Sequence, residues 1–154
     1  MYVGETPTGQ SNLLDRYNGY TDALKKYNDT TSVIFLEESL HGDKLKTARR
    51  LFTEKIIASL PDVIITSNDL IAQGIISAAH ENGINIPNDM QITGFDDSLS
   101  SAYFIPSVTT VSQNIDKLAK RCFSMLMDLI NKKSAVSSII EQNIIARNSA
   151  KINI

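Results

Sequence analysis

An α/β fold, specifically a three-layer αβα sandwich around a mainly parallel sheet, is what this 154-residue sequence predicts, on three observations. Short apolar runs rich in Val and Ile alternate with longer segments whose apolar residues recur at helical spacing, the order expected of βαβ units. Hairpin signals such as Asn-Gly do not join successive runs. Val33-Ile34-Phe35-Leu36 and Val63-Ile64-Ile65 are continuous rather than alternating. That is the pattern of parallel strands buried on both faces, with right-handed crossovers placing helices on either side.

The elements follow in order. Tyr2-Val3-Gly4 reads as the tail of a strand, which suggests that the natural protein continues upstream of Met1. Residues 12–27 carry Leu13, Leu14, Tyr17, Tyr20, Leu24 and Tyr27 on one helical face. The run ending at Leu36 is too short for a helix and rich in strand formers. Residues 43–59 return to helical spacing through Leu45, Ala48, Phe52, Ile56 and Ile57, after Gly42 and before Pro61. After the strand at 63–65, Ser67 or Asn68 caps a helix that carries Asp69 in its first turn and stops at Gly83. Strands follow at 90–95 and 108–111. Asn114 is then expected to cap a long helix to about residue 131, and 139–146 to form a closing strand.

Composition narrows the function classes. With 42% hydrophobic and 21% charged residues and a formal charge of −2, the chain is an ordinary globular domain. Its basic residues are scattered, with no stripe for nucleic acid. Cys122 is the only cysteine, so no internal disulfide forms, and its place on an apolar helix face suggests a small buried hydrophobe in a reducing, cytoplasmic setting. No apolar run approaches the roughly 18 residues of a membrane span. His41, His80 and Cys122 have no metal-ligand spacing, so neither a metal nor a cofactor is expected. Adjacent carboxylates could serve catalysis, but no phosphate-cradling glycine loop and no nucleophile–base pair accompanies them, so no catalytic residue is assigned.

The polar residues gather just beyond the strands: Glu5-Thr6, Glu37-Glu38-Ser39, Thr66-Ser67-Asn68-Asp69, Asp96-Asp97-Ser98 and Ser112-Gln113-Asn114. In a parallel sheet these tips share one edge, where ligands bind. Carboxylates accept from paired hydroxyls, amides accept and donate, and Arg donates in a fixed fork, a set suited to a polyhydroxylated guest. Each residue also has a structural role open to it: Asn68 as a cap, Asp96 and Asp97 as turn formers, Arg16 as an exposed helix residue, Tyr103 and Phe104 as core.

Order and spacing then identify a family resemblance. Ser67-Asn68-Asp69-Leu70-Ile71-Ala72-Gln73-Gly74, Ile86-Pro87-Asn88-Asp89-Met90-Gln91-Ile92-Thr93-Gly94-Phe95-Asp96-Asp97 and Pro106-Ser107-Val108-Thr109-Thr110-Val111-Ser112-Gln113 resemble the effector-binding region of bacterial lactose/galactose-repressor (LacI/GalR) regulators. Arg16-Tyr17-Asn18-Gly19-Tyr20 and Arg147-Asn148-Ser149 are similar to that family's Arg-x-x-Gly-aromatic helix and closing Arg-x-Ser. The resemblance implies a periplasmic-binding-protein type I-like fold with a small effector, commonly a sugar, between two lobes. It also implies operator DNA bound through a separate N-terminal headpiece, and a homodimer. Effector contacts carried over by motif are Arg16, Asn68, Asp96 and Gln113. Ala72, Ile76, Tyr103 and Phe104 become candidates for the dimer interface. Residues 1–113 would be the C-terminal lobe, 114–133 a helix of the other lobe, and 134–154 a crossover and closing strand. With its apolar face uncovered, that helix is expected to pack on a second copy or to be poorly ordered. The alternative is a sugar solute-binding protein of a transport system, which shares the fold.

Overall fold

The computed structural model describes residues 1–7, 11–30, 32–36 and 43–152. Its strands are β1 (Tyr2–Glu5), β2 (Val33–Leu36), β3 (Val63–Thr66), β4 (Gln91–Asp96), β5 (Thr109–Ser112) and β6 (Asn143–Ile145). Its helices are α1 (Ser11–Lys26), α2 (Lys44–Leu51), α3 (Asp69–Glu81), α4 (Leu99–Tyr103) and α5 (Ile115–Ile130). The strands form one sheet in the order β2-β1-β3-β4-β5-β6. Pairing is parallel from β2 through β5, with Tyr2 opposite Val33 and Ile65, Ile64 opposite Ile92, and Phe95 opposite Val111. Only β6 runs antiparallel, with Ile144 opposite Val111. The carboxyl ends of β1, β3, β4 and β5 therefore emerge on one edge.

One face of the sheet is fully packed. Val3, Ile64, Ile92 and Val108 meet Phe52, Ile56, Ile71, Ile75 and Ile76 in a single buried cluster. Burying each such side chain stabilises by roughly 1.5–3 kcal/mol. At the start of α3, Asn68 Oδ1 accepts from the Ile71 N–H at 3.1 Å. Its end is set by Gly83 at φ +73°, with the Ile84 N–H returning to the Ala79 carbonyl. The helical pattern over 43–59 is not one helix. Asp43 caps α2, which passes into a π turn (Phe52–Ile56) and a 3-10 turn (Ile57–Ser59). In the wider turn residues four apart lie nearly in line, so both Phe52 and Ile56 reach the core.

The other face departs from expectation. There α1 stands over β1 and β2 through Tyr2, Tyr17, Tyr20 and Phe35, whose rings lie 5.4–5.8 Å apart. Val63 and Ile65, expected to be buried on both sides, keep 37% and 39% of their surface exposed because α1 spans only that end of the sheet. Asn114 does not cap α5: it sits at φ +51° and gives its side-chain N–H to the Glu141 carbonyl instead. No residue of α5 is buried. Cys122, expected to be a buried hydrophobe, is exposed with the rest of that helix. The closing strand is shorter than 139–146 because Ile139 stands in solvent. Glu37, Glu38, Ser39, His41 and Gly42 lie outside the described residues. No helix among the described residues is long and apolar enough to cross a membrane.

Candidate functional site

Three of the four residues singled out as effector contacts meet directly at the carboxyl edge. Arg16, on α1, donates from Nη1 to the Ser67 carbonyl at 2.6 Å and from Nη2 to Asp96 Oδ1 at 3.3 Å. Its guanidinium also lies 3.8 Å from the Phe95 ring centroid. Gln113, just past β5, donates from Nε2 to the same Asp96 oxygen at 2.6 Å. Both donors converge on Oδ1, and among the described residues no donor reaches Asp96 Oδ2. The half-buried carboxylate is thus gripped by one oxygen and presents the other.

The backbone at this tip is strained. Asp96 has φ +114° and Asp97 φ +56°, a region that non-glycine residues rarely adopt and that costs about 1–3 kcal/mol each. Three neighbours hold it there. Asp69 is almost fully buried and accepts from the Ser98 N–H at 2.7 Å and from Thr110 Oγ1 at 2.6 Å. The Asp97 N–H donates to Thr110 Oγ1 at 3.3 Å, and Arg147 donates to Asp97 Oδ1 at 2.6 Å and to the Val108 carbonyl at 2.8 Å. Ser149, fully buried, binds the Thr109 N–H and the Ile92 carbonyl, stitching the closing segment between β4 and β5. Gly94 is required beneath this brace, because a Cβ there would lie 2.1 Å from Asp69 Oδ1.

Burial pushes the Asp96 carboxyl above the ordinary carboxylate range. The Arg16 charge and the Gln113 hydrogen bond oppose that shift without cancelling it.

Asn68, the fourth residue, lies beside Ser67 and is only 6% exposed. Its Oδ1 caps α3, while its Nδ2 donates to Glu5 Oε2 at 2.9 Å. Ser67 Oγ donates to the same Glu5 oxygen at 3.2 Å, and Lys44 pairs with the other. Glu5, Asp96, Asp97, the amides of Asn68 and Gln113, and the cations Arg16, Lys44 and Arg147 are thereby brought to one rim.

Residues 1–150 match the periplasmic binding protein-like domain family. The chain belongs to that family. This periplasmic-binding-protein-like domain is 36% identical over 101 residues to the HTH-type transcriptional repressor PurR of Pasteurella multocida, covering 63% of the chain and 30% of that protein. It is 32% identical over 129 residues to PurR of Erwinia tasmaniensis, covering 82% of the chain and 37% of that protein. It therefore spans about a third of the length of these relatives. Among solved structures, the transcription regulator CcpA of Lactococcus lactis superimposes with a TM-score of 0.80 at 24% identity. A LacI family transcriptional regulator from Enterococcus faecium with bound ribose gives 0.82 at 23%. Both superpositions cover 97% of this chain and 55% of the other. The resemblance read from the sequence motifs agrees with these similarities, and the sheet is the one that its fold class predicts.

Against the domain's geometry, two of the proposed interface residues need correcting. Ala72 and Ile76 are 0% and 1% exposed and belong to the core under α3, which leaves them no surface for a partner. Phe104 packs partly against that core, and Tyr103 alone of the four is freely exposed, at 79%. Lys44 and Phe95 were missed as rim residues. A signal existed for Lys44: it opens the helix after β2, and in a parallel unit that helix starts at the strand-tip edge. For Phe95 the signal was strand alternation, which turns it away from Gly94 and toward α1.

Proposed function

We propose that this domain is the ligand sensor of a cytoplasmic bacterial transcriptional regulator that binds a small sugar at the Arg16–Asp96–Gln113 rim. The carrying observation is the carboxylate of Asp96, strained, partly desolvated and fixed by two donors on one oxygen while the other has no donor among the described residues. A group held in that way is organised before its guest arrives, and adjacent sugar hydroxyls are its natural donors. Hydrogen bonds to a charged group contribute about 1.5–3 kcal/mol each, so three or four with a stacking contact reach micromolar affinity.

In the intact regulator the sugar bridges this wall of the cleft and a second lobe to which α5 belongs, and operator DNA is bound by a separate headpiece. The bare domain, with one wall, binds sugar weakly and binds no operator. The regulator works as a homodimer. Supporting that, Ile105 is exposed and lines a groove of about 400 Å³ with His80, Ile84, Ile86 and Pro106, and Leu99 and Tyr103 on the preceding helix are exposed as well. The described residues of the site hold one another through hydrogen bonds and ion pairs, in keeping with relatives that are repressors. The test is a thermal-shift screen of the intact regulator against neutral sugars. A stabilising sugar is expected, with its shift abolished in Asp96→Ala and Asn68→Ala. A sugar that stabilises both variants as well as the unmodified protein would overturn the assignment.

A further inference from the structure

Glu5 and Lys44 are the part of the rim that the effector assignment does not use. Glu5 closes β1 and its carboxylate is shared three ways: Oε2 accepts from Asn68 Nδ2 and Ser67 Oγ, and Oε1 pairs with Lys44. Its backbone N–H also donates to Ser67 Oγ at 3.4 Å. The Lys44 and Glu5 side chains keep 41% and 25% of their surface exposed, so the pair lies at the rim rather than under it.

Among the described residues the charges of the rim are paired. Arg16 is matched by Asp96, Lys44 by Glu5 and Arg147 by Asp97. The start of α3, where free N–H groups and the helix dipole would ordinarily attract an anion, already has the protein's own carboxylates beside it. Glu5 binds its cap residue and Asp69 fills its first turn. An incoming phosphate would find Arg16, Lys44 and Arg147 already paired and carboxylates beside the start of α3. Like charges set side by side disfavour such a ligand strongly.

We propose that Glu5 is the residue that sets charge selectivity in this cleft: by neutralising Lys44 and fixing the Asn68 amide, it admits neutral polyhydroxylated effectors and excludes their phosphorylated forms. The inference rests on the effector reading of the same rim. Glu5→Gln keeps an acceptor for Asn68 and Ser67 while releasing the charge of Lys44.

The experiment follows backbone amide shifts at Ser67, Asn68 and Asp96 in the isotope-labelled chain during titration with ribose, ribose 5-phosphate and inorganic phosphate. Unmodified protein is expected to respond to ribose and not to either phosphate. Glu5→Gln is expected to gain about tenfold in affinity for both phosphates, the scale of one charge-assisted hydrogen bond, with ribose little changed. Adding Lys44→Met to Glu5→Gln is expected to remove the gain. Phosphate response alike in unmodified and Glu5→Gln protein, present or absent, overturns the inference. A phosphate gain in Glu5→Gln without any ribose response in either protein upholds the charge role and counts against the effector reading instead. Should Glu5→Gln not fold, Lys44→Met alone decides: phosphate binding must be at or below the unmodified level, and a rise overturns the proposal.

Discussion

At the scale of single residues, Asp96 is where the domain gives up stability for its site. Its folded pKa is raised, so its contribution is favourable below the unfolded value and is lost as pH rises through the folded one. At neutral pH the charge therefore weighs against the folded state. Asp96→Asn is expected to melt above the unmodified protein at neutral pH, with the advantage shrinking as pH falls through the carboxylate range. Melting curves across pH read this directly, and a lower melting point at neutral pH would contradict it. Gly94→Ala should act in the opposite sense. The new Cβ meets Asp69, whose carboxylate is fixed by Ser98 and Thr110, and the overpacking should cost about 3 kcal/mol in denaturant unfolding. The types of residue at the site were legible in the sequence because acids and amides recur past each apolar run. The Glu5–Lys44 pairing was not, because only the parallel sheet brings the end of β1 beside the start of α2.

Among the elements, α3 was the most readable, since a capping Asn and a stopping Gly bracket an apolar face. Its cap has a second duty at the rim, so Asn68→Ala should cost about 1 kcal/mol through the cap alone and also leave Glu5 Oε2 with Ser67 Oγ as its remaining donor. Equilibrium unfolding measures the first effect, and a neutral result would show that Ile71 N–H is satisfied otherwise. The break between α2 and its π turn was not readable, because Phe52 and Ile56 fit an α-helical stripe equally well on paper. Asn114 misled for a related reason: Asn is favoured both as a cap and in left-handed backbone, and here the second preference wins. The contrast between α3 and α5 gives a further expectation. With nine residues buried in one and none in the other, amides of α3 should exchange with solvent far more slowly than those of α5. Equal protection in the isolated chain would mean that α5 is covered, most simply by a second copy.

For the whole molecule, the mainly parallel sheet flanked by helices followed from the alternation of two periods, which local sequence carries well, whereas the strand order did not. Whether a strand face is closed depends on what lies over it, and Val63 and Ile65 show how a continuous apolar run can end half open. Leaving Ile115, Leu118, Phe123, Leu126, Leu129 and Ile130 exposed on α5 forfeits roughly 10 kcal/mol of burial, which a neighbouring lobe would recover. In the proposed regulator that same junction is where effector and operator communicate, with couplings of about 1–3 kcal/mol.

The sensor role depends most on the convergence of Arg16, Asn68, Asp96 and Gln113 on one guest. Nuclear magnetic resonance titration of the labelled chain with a panel of neutral pentoses and hexoses at millimolar concentration tests it directly. Saturable shifts confined to Ser67, Asn68, Asp96 and Gln113, and absent in Asp96→Ala, are the predicted result. Shifts clustered instead around His80 and Ile105, or persisting unchanged in Asp96→Ala, would contradict it.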